Sequence, residues 1–211
     1  MLAGIVLKRV IAMNREIYTQ IYRRLDKVTP LPVDCGRSCG AACCEDNETG
    51  TGMYLFPGEE AMHLLPFPGE ETMFSLPEEK KTHLLSKEEG VLREESDWLR
   101  LTPSEFMVEG RPVQLATCGG SCPRHLRPLS CRIFPLVPYA KRGSRMRIIM
   151  DPRARPLCPL ARVLQPRDLE PDFYKNVRRC MQLLMKFHAT RAFIYEQSEL
   201  IDELCGPFLD L

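Results

Sequence analysis

The sequence predicts an α+β fold: a small cysteine-rich core with short strands and irregular loops, flanked by N- and C-terminal helices. Three observations predict it. Apolar residues recur at helical spacing near the two ends of the chain. The middle reads as short strand-like runs between turns that carry glycine and proline. Ten cysteines fall among 211 residues, and eight of them lie in that middle part. The expected division is a helix over 1–32 packing on the core, a cysteine-cluster domain over 33–165 and a helical extension over 166–211.

Composition sets the outer bounds. With 44% hydrophobic residues the chain can bury a real core, so staples are not needed for size alone. A charged fraction of 27% does not describe a disordered chain, and a net charge of +1 excludes a grossly cationic nucleic-acid binder. No apolar run reaches the roughly 18 residues of a membrane span. Lys8, Arg9, Asn14, Arg15 and Glu16 interrupt the apolar start, and no small-residue cleavage site follows. The expected compartment is therefore the reducing cytoplasm. Disulfides are rare there, and clustered cysteines point to metal ligation or redox chemistry.

The elements follow in order. Val6, Val10, Met13, Ile17, Ile21 and Leu25 share one helical stripe, which predicts an amphipathic helix over 5–28, stopped by Pro30 and Pro32. Residues 53–56 read as a short strand. A Pro-Gly-Glu-Glu unit at 57–60 recurs at 68–71, each copy reading as a turn followed by an acid-started helical turn. Residues 86–100 suggest a surface helix or turn. The runs 105–108 and 111–115 around Glu109-Gly110 predict a hairpin, and 145–150 a further strand. From 168 to 204 the chain is expected to be helical. Phe173, Val177, Cys180, Leu184 and Phe187 form one stripe there. A second helical stretch carries Ile194, Ile201 and Leu204, and Gly206-Pro207 closes it.

Charge is segregated. Residues 45–97 hold fourteen acidic against four basic residues, and residues 111–168 hold twelve basic against two acidic. Either the two halves face each other or water, or the basic half offsets a negative site. A nucleic-acid role is disfavoured, because the basic half lacks interleaved aromatics and a recognised motif.

The cysteines supply a candidate for such a site. The first group is Cys35, Cys39, Cys43 and Cys44; the second is Cys118, Cys122, Cys131 and Cys158. Four residues turn an α-helix by about 400°, so Cys35, Cys39 and Cys43 would drift only about 40° per step along one helical stripe. On a loop, Gly36 and Gly40 would let the backbone curl until the thiolates converge. Soft thiolates select zinc, copper(I) or iron–sulfur clusters over magnesium or calcium. Two groups of four suit one four-thiolate site each, a mixed site or a larger cluster. Neither the C-x2-C pairs of zinc ribbons nor the bacterial ferredoxin spacing occurs. Four thiolates on zinc, or a ligated 4Fe–4S cluster, leave a net charge of about −2. Arg127 and Arg132 flank Cys131 and are expected to stabilise the thiolates of such a centre. Cys180 and Cys205 read as packing residues rather than ligands. His125, between Cys122 and Cys131, is a weaker ligand candidate; His63, His83 and His188 read as surface or packing residues. No serine–histidine–acid signature, phosphate loop or dinucleotide fingerprint is present.

The run Cys35-x3-Cys39-x3-Cys43-Cys44, then Gly52-Met53-Tyr54-Leu55 with following acids, then Arg127-Pro128-x-x-Cys131-Arg132 and a late Cys158, resembles the YkgJ-like cysteine-cluster family. That family is described as a zinc- or iron-chelating domain with a consensus near CxxCxxCC, and the first spacing here is wider. The likeness covers roughly residues 33–160, with the double cysteine and the Arg-Pro-x-x-Cys-Arg element as its specific parts. It implies a metal-binding protein holding an iron–sulfur cluster or zinc. Flagellin lysine N-methylases are similar to the same family, which implies as an alternative an Fe–S enzyme in redox or group-transfer chemistry. A third reading is a structural zinc module with a protein partner.

Overall fold

The computed structural model describes residues 15–44, 51–59, 99–118 and 127–206, with Thr51, Leu99, Arg100 and Cys118 described by their backbone. The start of the first helix, the second copy of the Pro-Gly-Glu-Glu unit, residues 86–98, Cys122, His63, His83 and His125 lie outside the described residues. The architecture is α+β, as expected.

The first helix, α1, covers 15–25. Its buried stripe is Tyr18, Ile21, Tyr22 and Leu25, wider than the aliphatic repeat alone because the two tyrosines join it. It ends three residues before the expected 28. α2 is the short helix Cys35–Cys39, followed by a 3-10 turn, Ala42–Cys44. A three-stranded antiparallel sheet contains β1 (Thr51–Tyr54), β2 (Leu99–Val108) and β3 (Arg111–Cys118), in the order β1-β3-β2. β2 and β3 form the expected hairpin. Its turn needs two left-handed residues, Glu109 at φ 51° and Gly110 at φ 74°. β2 begins at Leu99, so residues 99 and 100 are strand rather than the expected surface helix or turn. The register with β3 pairs Leu99 with Cys118 and Thr102 with Leu115. This edge strand tolerates Pro103 and shifts register beyond it, where Ser104 Oγ donates to Val113 O at 2.8 Å.

Helix α3 (Leu129–Ile133) leads into a two-stranded antiparallel sheet of β4 (Leu136–Tyr139) and β5 (Arg147–Met150). After a 3-10 turn, Pro152–Ala154, come α4 (Pro159–Val163) and a second 3-10 turn, Pro166–Asp168. The C-terminal region divides into α5 (Pro171–Leu184) and α6 (His188–Cys205). The predicted stripe Phe173, Val177, Cys180 and Leu184 is buried on α5. Phe187 leaves that stripe, because the helix has already ended and Phe187 caps α6. Ile194 and Ile201 of α6 are buried, whereas Leu204 is 62% exposed. No described helix is long and apolar enough to cross a membrane.

The terminal helices do more than flank the core. Ile21 and Leu25 of α1, Phe173 and Val177 of α5, and Phe193 and Ile194 of α6 share one apolar cluster with Val108 and Val113 of the hairpin and Ile148 of β5. Phe193 is its aromatic hub, with ring centroids 4.9 Å from Phe56 and 6.0 Å, edge-on, from Phe106. The hairpin, the segment after β1 and α6 therefore meet at one residue.

One buried carboxylate crosses this assembly. Glu59 is 0% exposed. Its oxygens accept from Tyr22 OH of α1 at 2.5 Å, from Phe56 N at 3.0 Å, and from Leu129 N at the start of α3. Burial pushes the Tyr22 hydroxyl well above its ordinary value, and the Glu59 charge and hydrogen bond push it further, so Tyr22 remains the donor. Glu59→Ala would leave three buried donors without their acceptor, each costing about 1–3 kcal/mol. The expected loss is at least about 3 kcal/mol in urea unfolding. Glu59→Gln, which keeps one acceptor oxygen, should lose less. An unchanged unfolding midpoint for Glu59→Ala would show that these bonds do not hold the elements together.

Candidate metal centre

The first cysteine group starts from a capped helix. Asp34 Oδ1 accepts from Gly36 N at 3.1 Å and opens α2, which carries Cys35 and Cys39. The helix stops after one turn because Gly40 (φ 64°) and Ala41 (φ 59°) are both left-handed. The three-cysteine helical stripe is thus replaced by the curled arrangement. Cys39 Sγ turns back on its own helix and donates to Cys35 O at 3.4 Å. Cys43 and Cys44 come off the 3-10 turn with their sulfurs 3.9 Å apart.

Cys131 of the second group sits on α3. That helix is fixed from two sides: Leu129 N donates to Glu59, and Ser130 Oγ donates to Tyr54 O of β1 at 3.0 Å. β1 in turn puts Met53 beside it, with Cys131 Sγ 3.1 Å from Met53 Sδ. Cys158 is buried at the start of α4 among Ala154 and Ala161. Cys118 ends β3, its backbone paired with Thr51 and Leu99 and two residues on from Ala116, the partner of Met53.

Among the described residues, Cys131 and Cys158 of the second group lie near the first. Cys35 lies within electrostatic reach of Cys39, Cys158 and Arg127, and Cys43 within reach of Cys44, Cys131 and Cys35. Burial pushes the Cys35 thiol up, the charges of Asp34, Cys39 and Cys158 add to the rise, and Arg127 opposes it. The hydrogen bond between the adjacent thiols splits Cys43 from Cys44: it raises Cys43, as burial and the other thiolates do, and it lowers Cys44 to about 6. Arg127 also lowers Cys44, while burial and Asp34 resist. The two sulfurs thus share one proton, and the pair titrates as a unit.

The two arginines of the Arg-Pro-x-x-Cys-Arg element have different surroundings. Arg127 acts on Cys35 and Cys44. Arg132 turns away from the thiols. Its Nη1 pairs with Asp26, its Nε donates to Arg127 O at 2.6 Å, and its guanidinium lies 3.9 Å from the centroid of the Tyr22 ring. With a side chain 3% exposed, it fixes α3 to α1. His188, at the start of α6, pairs with Glu109 at 3.0 Å.

Thiolates are the ligands that zinc and iron–sulfur centres take, and the Met53 thioether is a further soft donor. At a Zn–S bond of about 2.3 Å, tetrahedral geometry separates two sulfurs by about 3.8 Å. The Cys43–Cys44 separation of 3.9 Å matches two sulfurs on one such ion. Among the described residues no three histidine, cysteine or acidic side chains already close into a metal-holding group. The pair fits, with Cys35 and Cys131 near Cys43 and Cys158 near Cys35. Sequence reasoning overlooked Met53, Asp26 and Glu59; Met53 stood in the quoted Gly52-Met53-Tyr54 run, whereas Glu59 looked like one more acid in an acidic segment. No protein-family model matches the chain, and no curated protein or solved structure matches it.

The thiol energetics generate a prediction for metal-free, reduced protein. Cys44, lowered to about 6, is mostly thiolate at pH 7, and Cys180, pushed up to about 11 by burial on α5, is not. Iodoacetamide at pH 7 should label Cys44 early and Cys180 last. Labelling of Cys44 should slow as the pH falls through 6, and Cys43→Ala should also slow it at pH 7. Peptide-mapped mass spectrometry reads all three; equal rates at Cys44 and Cys180 would contradict the assignment.

Proposed function

We propose that the chain is a metal-binding protein whose cysteine thiolates, drawn from both groups, hold zinc or an iron–sulfur cluster at one shared centre. The observation that carries this reading is the Cys43–Cys44 sulfur separation of 3.9 Å, with Cys35 and Cys131 within electrostatic reach of Cys43. That separation favours a single tetrahedral ion, zinc in the first place, over a larger cluster. Cys43, Cys44, Cys131 and Cys35 are the primary ligand set of the proposal, with Cys158 beside Cys35 and Met53 beside Cys131. Bound metal would supply a fixed positive centre that holds the thiolates deprotonated. The chain's own part is to bring two distant segments together and to put the Arg127 charge against them.

The reading is tested by elemental analysis and an absorption spectrum on protein purified without oxygen. The expected result is bound metal, colourless for zinc and visibly absorbing for iron–sulfur. Cys43→Ser and Cys131→Ser should lose most of it, and Cys180→Ala and Cys205→Ala should keep it. Metal-free wild type with intact thiols would overturn the proposal.

Arg127 and Arg132 give a second test. Removing the Arg127 charge raises the thiolate pKa values, so protons compete better for the ligands as the pH falls. Arg127→Gln should speed chelator-driven metal release several-fold more at pH 6 than at pH 8. Arg132→Gln should lower the unfolding midpoint and leave that pH profile like wild type. The opposite pattern would return the charge-offset role to Arg132.

A further inference from the structure

A cavity of about 310 Å³ runs from the thiols into the protein between β1, β4 and α6. That is the lower end of the range for small-molecule sites, about 300–1,000 Å³. Its body is apolar, walled by Met53, Phe56, Leu136, Phe193 and Ile194, while Cys43, Cys44, Cys131 and Arg127 stand at the cysteine side.

A small polar array also lines it. Arg153 Nε and Nη2 donate to Asp151 Oδ1 and Oδ2 at 3.0 and 2.9 Å, which neutralises its charge. Arg153 Nη1 donates to Gln197 Oε1 at 2.9 Å. Arginine has no acceptor, so this bond fixes the amide orientation: the oxygen faces Arg153 and Nε2 is left over. Gln197 is 7% exposed and lines the cavity, and among the described residues its Nε2 has no hydrogen-bond partner. A buried donor without a partner is costly, and an apolar cavity against it offers room for one. The group that completes it must carry an acceptor. Because Asp151 already satisfies Arg153, a neutral acceptor fits better there than a second carboxylate.

We propose that this cavity binds a small molecule with an apolar body and a neutral carbonyl group that accepts a hydrogen bond from Gln197 Nε2. The site stands on Gln197 and the cavity walls and does not depend on the metal reading, although thiols line the same cavity.

The test uses 4-phenylbutanamide, whose phenyl and chain match the apolar body and whose carbonyl is neutral, titrated into the full chain by ligand-observed NMR and calorimetry. Metal content is measured on the same samples, so the two readings fail or stand separately. Saturable binding is expected, with 4-phenylbutanoate weaker. Gln197→Glu keeps the acceptor for Arg153 and puts an oxygen where the donor stood; it should weaken amide binding about tenfold, the loss expected for one hydrogen bond. Ala154→Leu, which grows a side chain from a buried cavity wall, should abolish binding. Circular dichroism checks that it folds, and where it does not, Gln197→Glu decides. Absence of saturable amide binding to folded wild type, equal amide affinity in Gln197→Glu, or tighter binding of the carboxylate would each overturn the inference.

Discussion

The described structure depends on the Glu59 carboxylate more than on any other polar group. It joins three stretches of chain that share no sequence neighbourhood: α1 through Tyr22, the segment after β1 through Phe56, and the start of α3 through Leu129. A carboxylate taken out of water costs several kcal/mol, and only charged hydrogen bonds of about 1.5–3 kcal/mol each can offset that. Glu59 accepts three such bonds from described residues, and one comes from the first amide of a helix, where the positive end of the helix dipole favours an anion. The geometry of the cysteines follows from it. Cys131 lies two residues beyond Leu129, and Met53 lies three residues before Phe56. Fixing those two backbone amides on one carboxylate brings α3 and β1 side by side.

Arg132 completes the same polar cluster from the other direction. It lies between Asp26 and the Tyr22 ring, so the tyrosine receives a carboxylate at its hydroxyl and a guanidinium at its face. This explains why two arginines five residues apart serve different ends. Arg132 is on α3 and is directed at α1. Arg127 precedes the helix and stays on the thiol side, where it lowers Cys35 and Cys44. An arginine flanking a cysteine in sequence is therefore no guide to which cysteine feels its charge; the direction of the intervening helix decides it.

That distinction marks where sequence reading stopped. Periodicity identified the buried faces of α1 and α5, and the Glu109-Gly110 turn identified the hairpin, because those signals are local. The extent of β2 was not local. Leu99 and Arg100 are strand because Cys118 and Thr117 of β3 pair with them, a cross-strand effect that a window of neighbours does not contain. The arrangement of the first cysteine group turned on one residue. Gly40 permitted a left-handed conformation, but Ala41 adopting it as well has no sequence signal, and the pair ends the helical stripe. Gln197 was legible in principle. It lies on α6 three residues after Ile194 and four before Ile201, a polar side chain on an apolar stripe, and such a residue has to find a partner inside.

The proposed metal centre and the apolar core use different side chains, even on α3, where Leu129 and Ile133 join the core and Cys131 between them does not, and this sets what metal could contribute to folding. In small zinc modules the ligands are the core, so metal binding and folding are one event. Here the aromatic hub at Phe193, the α1 and α5 stripes and the Glu59 cluster contain none of the described candidate ligands. Among the described candidate ligands Cys158 is the buried one, and it packs in a small separate group with Ala154 and Ala161. The described thiols thus sit on a scaffold held by other side chains. Ordering them as ligands would draw on the folding of that scaffold rather than on metal–sulfur bonds. At the proposed centre, Cys43 and Cys44 would exchange the proton between them for an ion, a local change at the rim of the core.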